Sequence, residues 1–355
     1  MLRKLFFVFT TTGCLFYSIK AQDSTKLLVA PKAVSTTSVI YSFDAYYRYD
    51  LNNAPGFTNN LTSFTNSQNS FELGMASIRA DHSFGKIAAT IDVGFGRRAE
   101  EFSYNDGQSS VKNGFLTLAA IKQLFLSYAP SSKIKFTAGK WATHIGFEVL
   151  DAYANRNYSM SYGFSYGPFF HTGVRTDITL GSKSAFMIGI ANPTDFTTTT
   201  SSAKVLISQF STGTKDDKLK AFLNFQGGKD LSQFDLVLNG TISSKFAINY
   251  DGTIQTRKTL GVKNSWSSNA VYFNYDPKPL FGFTLREEYF NDKKAVAGIG
   301  TSVMSTTVSA NIHLGNLTVI PEFRYDNAKA QIFAKDATLK TKNDASLILA
   351  AVYKF

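Results

Sequence analysis

Residues of alternating polarity run along most of this chain. Between Tyr41 and Asp50, every second position is aromatic or small, and the positions between them are mostly polar or charged. Successive side chains of a β-strand point to opposite faces, so the pattern predicts a strand with one apolar and one polar face. The same pattern recurs at 87–95, 281–288 and 317–326, and no comparable helical period appears.

Connections of two lengths alternate along the chain. The long ones include 51–69, 97–114, 141–167 and 327–344, although 227–232 is short where a long loop is expected. Short turns at one end of the strands and long loops at the other are typical of outer-membrane barrels. We therefore predict an all-β fold, a transmembrane antiparallel β-barrel of about 16 strands, with fourteen or eighteen as alternatives. The strands are predicted at 39–50, 70–82, 86–96, 115–128, 133–140, 168–180, 185–191, 204–211, 219–226, 233–242, 245–254, 266–276, 281–290, 301–313, 317–326 and 345–355.

Composition separates this barrel from a soluble β-sandwich or propeller, which would also alternate. Aromatic residues make up 14% of the chain, and the mean hydropathy is −0.09. Strands of alternating polarity keep the mean hydropathy near zero, and two interfacial girdles need many aromatic rings. The final strand has an apolar face that resembles the C-terminal signature read by the outer-membrane assembly machinery: Leu347, Leu349, Ala351, Tyr353 and Phe355.

The N-terminus has the features of a secretory signal. A basic start precedes an apolar stretch from Leu5 to Phe9, and Ala21-Gln22 is a plausible cleavage point. A lipoprotein anchored at Cys14 is the alternative. Cys14 is the only cysteine, so the cleaved chain would contain no disulfide. We predict a cleaved signal peptide, a short N-terminal segment and a barrel at 1–21, 22–38 and 39–355.

The charge balance is basic. The chain carries 37 basic and 26 acidic side chains, and three of the basic ones lie in the predicted signal, which leaves an excess of +8. A basic balance can indicate nucleic-acid binding. The lysines and arginines are scattered through strand-like segments without a dense run, so we expect no nucleic-acid partner.

The segment from Gly139 to Arg175 carries several short motifs. They are Gly-Lys at 139–140, Gly-x-Glu at 146–148, Asn-Arg-Asn-Tyr-Ser at 155–159 and Pro-Phe-Phe-His-Thr-Gly at 168–173. These motifs resemble the β-barrel porin-2 family, the OmpL-like porins, as does Pro321-Glu-Phe-Arg-Tyr325 in a late strand. The resemblance implies a bacterial outer-membrane porin. The family often has a basic residue between two serines where this chain has Met160, so no pore charge is transferred to that position.

The same region contains the longest polar loop. Residues 141–167 are too irregular for a strand and carry Glu148, Asp151 and Arg156. Loops of this length are usually functional or disordered, and aromatic content argues against disorder. We predict a long third loop folded into the lumen, where these three charges form a constriction. A loop packed on the outer rim is the alternative.

Strand parity predicts which charges face the lumen. About sixteen strands leave a water-filled interior, and inward charges then set selectivity. The alternative for each is a paired charge without influence on flux. The predicted inward residues are Arg48, Asp92, Arg175, Arg286, Glu288, Glu322 and Arg324.

No catalytic or metal site is predicted. Gly163-Phe-Ser165-Tyr-Gly167 matches the G-x-S-x-G pattern, but that pattern needs a strand, a sharp turn and a helix, and here an aromatic loop precedes a strand. The four histidines, of which His171 lies in the family-like segment, lack zinc-binding spacing. We expect no enzyme activity and no cofactor, and we interpret His171 as a hydrogen-bonded wall residue.

The sequence favours a porin for passive diffusion of small hydrophilic solutes, with a weak preference for anions. The alternative is a ligand-binding or adhesive barrel with a closed lumen, in which the loops 51–69 and 97–114 recognise a partner. Expected partners are outer-membrane lipid, the assembly machinery through the strand that ends at Phe355, and small solutes. The sequence does not decide between a monomer and a homo-oligomer.

Overall fold

The computed structural model describes residues 35–54, 59–106 and 118–355. The predicted signal peptide at 1–21, including Cys14, lies outside the described residues, as does most of the segment 22–38. The first strand begins at Thr36, close to the predicted start of the barrel.

Sixteen antiparallel strands close into one barrel, because each pairs with its sequence neighbours and the last pairs with the first. The predicted strand number and antiparallel order are therefore confirmed. Beyond the short helical turn at 118–120, the fourth strand begins at Ile121, later than predicted. The strands are β1 (Thr36–Asp50), β2 (Ser70–Phe84), β3 (Ile87–Phe95), β4 (Ile121–Tyr128), β5 (Ile134–Ala142), β6 (Phe170–Thr179), β7 (Ala185–Ala191), β8 (Val205–Gly213), β9 (Leu219–Gly227), β10 (Leu231–Thr241), β11 (Phe246–Thr259), β12 (Val262–Lys278), β13 (Phe281–Asn291), β14 (Ser302–Leu314), β15 (Leu317–Ala328) and β16 (Asn343–Lys354).

The barrel is apolar outside and polar inside. In β1, Tyr41 and Phe43 are exposed on the outer surface, whereas Ser42 and Asp44 are buried on the interior face. This arrangement inverts that of a soluble protein, and it suits a wall with lipid on one side and polar groups on the other. Closure also gives each of the sixteen described barrel strands a hydrogen-bonded neighbour on both sides.

The connections fall on two sides of the barrel. On one side, with the start of β1 and the end of β16, seven turns have two to five residues: 85–86, 129–133, 180–184, 214–218, 242–245, 279–280 and 315–316. Long loops dominate the other side: 51–69, 96–120, 143–169, 192–204, 292–301 and 329–342. The predicted alternation is confirmed with two exceptions, 228–230 and 260–261.

The hairpin between β11 and β12 is longer than predicted. Polar alternation continues beyond residue 254, with Gln255 inside and Thr256 outside, so the ladder extends to a two-residue turn. Leu260 and Gly261 both have positive φ, at 51° and 85°. Two such residues match the twist of the flanking strands, and the expected loop at 255–265 is therefore the end of a hairpin.

Short helices lie within the long loops. The first, α1 (Arg97–Phe102), follows β3, and the second, α2 (Tyr162–Tyr166), lies between β5 and β6. A small hairpin of Phe333–Ala334 and Lys340–Thr341 lies between β15 and β16. Among the described residues, no helix is long and apolar enough to span a membrane.

Aromatic stacking accompanies the seam between β1 and β16. Backbone bonds join Tyr41 and Phe355 in both directions, at 2.9 and 3.0 Å, and their rings stack with centroids 5.0 Å apart. Lys354 turns the other way, and its Nζ lies 4.6 Å from the ring centroid of Tyr153 in the loop 143–169. The alternation predicted for the final strand is confirmed.

Replacing Phe355 with alanine should destabilise the closed barrel, because the stack on Tyr41 is lost at the seam. We expect the free energy of unfolding to fall by about 1 to 3 kcal/mol, measured by denaturant titration of the folded barrel in detergent. Phe84→Ala removes an exposed ring at the same rim, away from the seam, and should cost less. Equal losses would exclude a stabilising role for the stack.

Candidate functional site

The segment 143–169, called the inner loop below, contacts the interior face of the barrel. Its base closes where the amide of Thr143 donates to the carbonyl of Phe169 at 2.9 Å. Between these residues it contacts side chains or carbonyls of β4, of each strand from β8 to β16, and of β1.

Backbone amides in the first part of the inner loop, at residues 146–147, bind two aspartates of the barrel wall. The amide of Gly146 donates to Asp235 on β10 at 3.1 Å, and that of Phe147 donates to Asp251 on β11 at 2.9 Å. Gly146 has a φ of 92°, which glycine adopts at little cost. The Gly-x-Glu motif therefore begins with a residue whose backbone turns toward the wall.

Two charges of the inner loop bind walls that are far apart. Glu148 accepts from Arg286 on β13 at 2.5 Å, and three residues later Asp151 accepts from Lys122 on β4, also at 2.5 Å. In the order of the closed sheet, β13 and β4 are seven strands apart by the shorter route. The inner loop therefore passes from one wall toward the other between residues 148 and 151.

Two wall glutamates bind pairs of backbone amides in the later part of the inner loop, residues 158–163. Glu288 accepts from the amides of residues 162–163 at 2.8 and 2.7 Å. Glu322 does the same for residues 158–159, at 2.7 and 3.0 Å. Both carboxylates are buried, and hydrogen bonds to an ionised group in such surroundings are among the stronger ones in proteins. These glutamates anchor the inner loop.

Two wall arginines bind backbone carbonyls in the same part of the inner loop. Arg286 donates to the carbonyl of Ser159 at 2.8 Å, and Arg324 donates to that of Met160 at 2.7 Å. Arg324 also pairs with Asp326 at 3.0 Å. Met160 itself is fully buried, so at this position a wall guanidinium lies against the backbone of the loop.

Arg98, in α1, is an anchor that sequence reasoning missed. It is fully buried and donates to the carbonyls of Leu150 and Tyr158 at 3.2 and 2.9 Å. Its Nε lies 3.5 Å from Asp44 on β1, and its guanidinium lies 4.5 Å from the ring centroid of Tyr158. Alternation along a strand assigns no face to a residue in a long loop. The one sign in the sequence that Arg98 binds the interior was the Arg97-Arg98 pair directly after a strand.

The ten predicted site residues separate by burial. Arg48 and Asp92, on the interior face, bind the carbonyl of Ser67 at 2.8 Å and Lys122 at 2.9 Å. Three side chains keep contact with open space, at 16%, 22% and 16% exposure: Asp151, Arg156 and Arg175. The other seven are at most 5% exposed: Arg48, Asp92, Glu148, Arg286, Glu288, Glu322 and Arg324. All seven parity residues lie on the interior face, but most contact the loops.

The accessible charges are paired as well. Arg156 binds Asp276 at 2.6 Å. Arg175 lies 3.6 Å from Asp177 and has its guanidinium 5.1 Å from the Trp141 ring. Both cationic and anionic side chains are therefore accessible from the open space inside the barrel.

Buried groups also surround the base of the inner loop. The rings of His144 and His171 lie 5.2 Å apart, which sequence spacing did not reveal, and His171 is within 3.3 Å of the Thr143 hydroxyl. Burial lowers the pKa of His144 to about 4. Asp195 accepts from the amides of residues 169–170 at 2.7 and 3.0 Å, and burial raises the pKa of its carboxyl to about 7.

The serine of the G-x-S-x-G pattern forms hydrogen bonds that stabilise the loops. Ser165 lies inside the five-residue helix α2. Its hydroxyl donates to the carbonyl of Ser161 at 2.7 Å and accepts from the amide of Ser63 at 3.0 Å. Across the described ranges, no three His, Cys, Asp or Glu side chains converge as metal ligands.

Breaking a buried anchor should cost more than breaking an accessible pair. Arg286→Leu leaves Glu148 buried without its guanidinium partner, so we expect a loss of about 3 to 5 kcal/mol in unfolding free energy. Arg79→Leu breaks the Arg79–Asp81 pair, which is about one third exposed, and should cost less than about 1 kcal/mol. Denaturant titration of both variants makes the comparison, and equal losses would contradict the anchoring role.

Comparison with known proteins adds to this geometry. A family profile described as beta-barrel porin-2, OmpL-like, matches residues 42–355. A search of curated proteins gave no significant match.

Solved structures share the fold. The outer-membrane channel DcaP of Acinetobacter baumannii superposes with a TM-score of 0.60 at 13% identity, covering 92% of this chain and 99% of that one. OmpT of Vibrio cholerae gives 0.59 at 12% identity, covering 93% and 100%. An anion-selective porin from Comamonas acidovorans gives 0.59 at 10% identity, covering 91% and 100%.

Proposed function

This chain belongs to the β-barrel porin-2, OmpL-like family, and we propose that it is a passive pore for small hydrophilic solutes whose width is set by the inner loop. It is a porin of the bacterial outer membrane. The observation that carries the proposal is the pair of contacts Glu148–Arg286 and Asp151–Lys122, which tie one loop to walls seven strands apart.

Narrowing by the inner loop follows from the size of the barrel. Sixteen strands enclose more space than side chains alone fill, so a loop across the interior reduces the free cross-section. Anchors on both sides limit the movement of the loop under flux, because moving it would remove the loop partners of buried charges such as Glu288 and Arg324. Solute size is then limited more firmly than solute charge.

Ion selectivity should be weak and in favour of anions. Arg156 and Arg175 are the accessible cations among the proposed site residues, and each has an aspartate partner. Asp151 is the accessible anion, paired with Lys122. Salt screens such charges beyond a Debye length of about 8 Å, so the excess of positive charge biases permeation only slightly.

The final strand supports a proposal about assembly. Its outward residues Tyr353 and Phe355 stack on Phe43 and Tyr41 of β1. We assign this aromatic end as the segment that the outer-membrane assembly machinery binds before the barrel closes. The proposal does not include catalysis, a cofactor or a metal.

Removing the crossing part of the inner loop should widen the pore. Deletion of residues 150–162 removes Asp151 and the amides held by Glu322, and we expect a higher single-channel conductance in a planar bilayer. Deletion of residues 198–203, from the external loop 192–204, is the control and should leave conductance unchanged. If the first deletion folded correctly and conductance did not rise, the inner loop would not be the constriction. If the intact protein did not conduct at all, a closed ligand-binding or adhesive barrel would be the better account.

Neutralising an accessible cation should shift selectivity. Arg175→Gln removes a charge that is 16% exposed on the interior face, so we expect the reversal potential in a salt gradient to move toward cations. Lys293→Gln removes an exposed charge from the external loop 292–301 and should move it less. A shift of equal size in both variants would indicate a general surface-charge effect rather than one of the lumen.

A further inference from the structure

The outer surface of β12, together with the adjoining end of β11 at Thr256 and Lys258, departs from the apolar pattern of the rest of the barrel. On β12, only the three outward positions nearest the short-turn side are apolar: Val271, Phe273 and Tyr275. By contrast, β15 has five apolar outward positions: Leu317, Val319, Pro321, Phe323 and Tyr325. The apolar belt is therefore thinner at β12.

Polar groups occupy the rest of the outward side of β12 and the adjoining end of β11, and Ile254 of β11 is the exposed apolar residue next to them. We call this polar surface the outer polar face and define it by its outward residues: Thr256, Lys258, Lys263, Ser265, Ser267 and Asn269. The hydroxyls of Thr256 and Ser265 lie 2.7 Å apart across the two strands. Asn269 accepts from the hydroxyl of Tyr250 at 2.7 Å. These contacts form an ordered row of hydrogen-bonding groups on the side that faces the membrane.

Two lysines face each other at the top of this row. Lys258 and Lys263 are direct cross-strand partners in the ladder, and both are exposed. Like charges directly opposite on one face destabilise a sheet. An anion bound between them would convert this repulsion into attraction.

The lysines lie at the height of lipid headgroups. Tyr275, near the short-turn rim, and Lys263 are twelve residues apart on β12. A tilted barrel strand rises about 2.5 Å per residue, so Lys263 lies about 30 Å above Tyr275, just beyond an apolar band of about 25 Å. Ser265 and Thr256 lie slightly below it, near the boundary between headgroups and acyl chains.

Acidic groups near the face do not cancel its charge. Glu287 on β13 points outward and accepts from the hydroxyl of Thr306 at 2.8 Å. Asp230 lies in the neighbouring turn beside Lys229, another exposed lysine. With Lys229, Lys258 and Lys263 set against these two acids, the surface keeps a positive excess.

We propose that the outer polar face binds the phosphorylated, hydroxyl-rich headgroup of a glycolipid in the outer leaflet. Lys258 and Lys263 bind a phosphate, and the hydroxyls of Thr256 and Ser265 bind the sugar. A headgroup of this kind matches both the charge and the hydroxyl row, and its acyl chains would lie along the apolar residues below.

A second copy of the chain fits this face less well. Along the described barrel strands, Glu287 is the only acidic residue at an outward position. The outer wall of another barrel would therefore offer the two lysines little negative charge. A phosphorylated glycolipid supplies that negative charge, so it is the partner that the two lysines favour.

The test measures lipid retention by the purified barrel with native mass spectrometry. The probe is a glucosamine disaccharide lipid with two phosphates, compared with the same lipid after phosphate removal. The variant K258S/K263S should bind the phosphorylated lipid about 30-fold more weakly, as expected for the loss of two lysine contacts with an anionic headgroup. The control K293S/K294S removes two exposed lysines from the external loop 292–301 and should bind it almost as the native chain does.

Three results would overturn the proposal. The first is equal retention of the lipid with and without phosphate, and the second is equal weakening in both double variants. The third is a native oligomer that K258S/K263S dissociates without any change in lipid retention, which would assign the face to a second copy. Unchanged single-channel conductance in K258S/K263S establishes that the barrel remains intact, because these lysines lie outside the pore.

Discussion

Hydrogen bonds between wall carboxylates and the backbone of the inner loop are the contacts on which the interior depends. Glu288 and Glu322 each accept from two consecutive amides. A buried carboxylate without partners would be too costly to keep, and an irregular loop inside a barrel has amides that need acceptors. The carboxylates supply acceptors for the loop amides, and the amides supply donors for the buried carboxylates. The polar interior of the barrel and the irregular loop therefore stabilise each other.

The same contacts explain why most charges on the interior face do not act as free pore charges. Arg286 and Arg324 point inward as parity requires, but they end on carbonyls of the inner loop and on carboxylates. Charges that remain partly exposed, such as Arg156 and Arg175, are also paired. The interior therefore offers a solute both signs of charge, in keeping with a general pore.

Sequence reasoning predicted the barrel well because strand parity is a local property. The period of two identified the strands and the inward face of Arg48, Asp92 and Glu322, and alternating loop lengths identified the two rims. It could not predict partners that lie far apart along the chain. Arg98 and Leu150 meet only through tertiary structure, and the rings of His144 and His171 come together only when the inner loop returns to its base. The hairpin at Leu260-Gly261 was missed because polar residues in a strand that continues beyond the membrane resemble those of a loop.

The position of Tyr158 bears on the order in which the protein forms. Its amide binds Glu322 on β15, and its hydroxyl binds Asp44 on β1 at 2.5 Å. These strands come from opposite ends of the barrel sequence and are held close by β16, which pairs with both. The two contacts can therefore coexist only after the cylinder has closed. Until then, at least one of Asp44 and Glu322 lacks its contact with Tyr158, so the inner loop reaches its full set of anchors only when the cylinder closes.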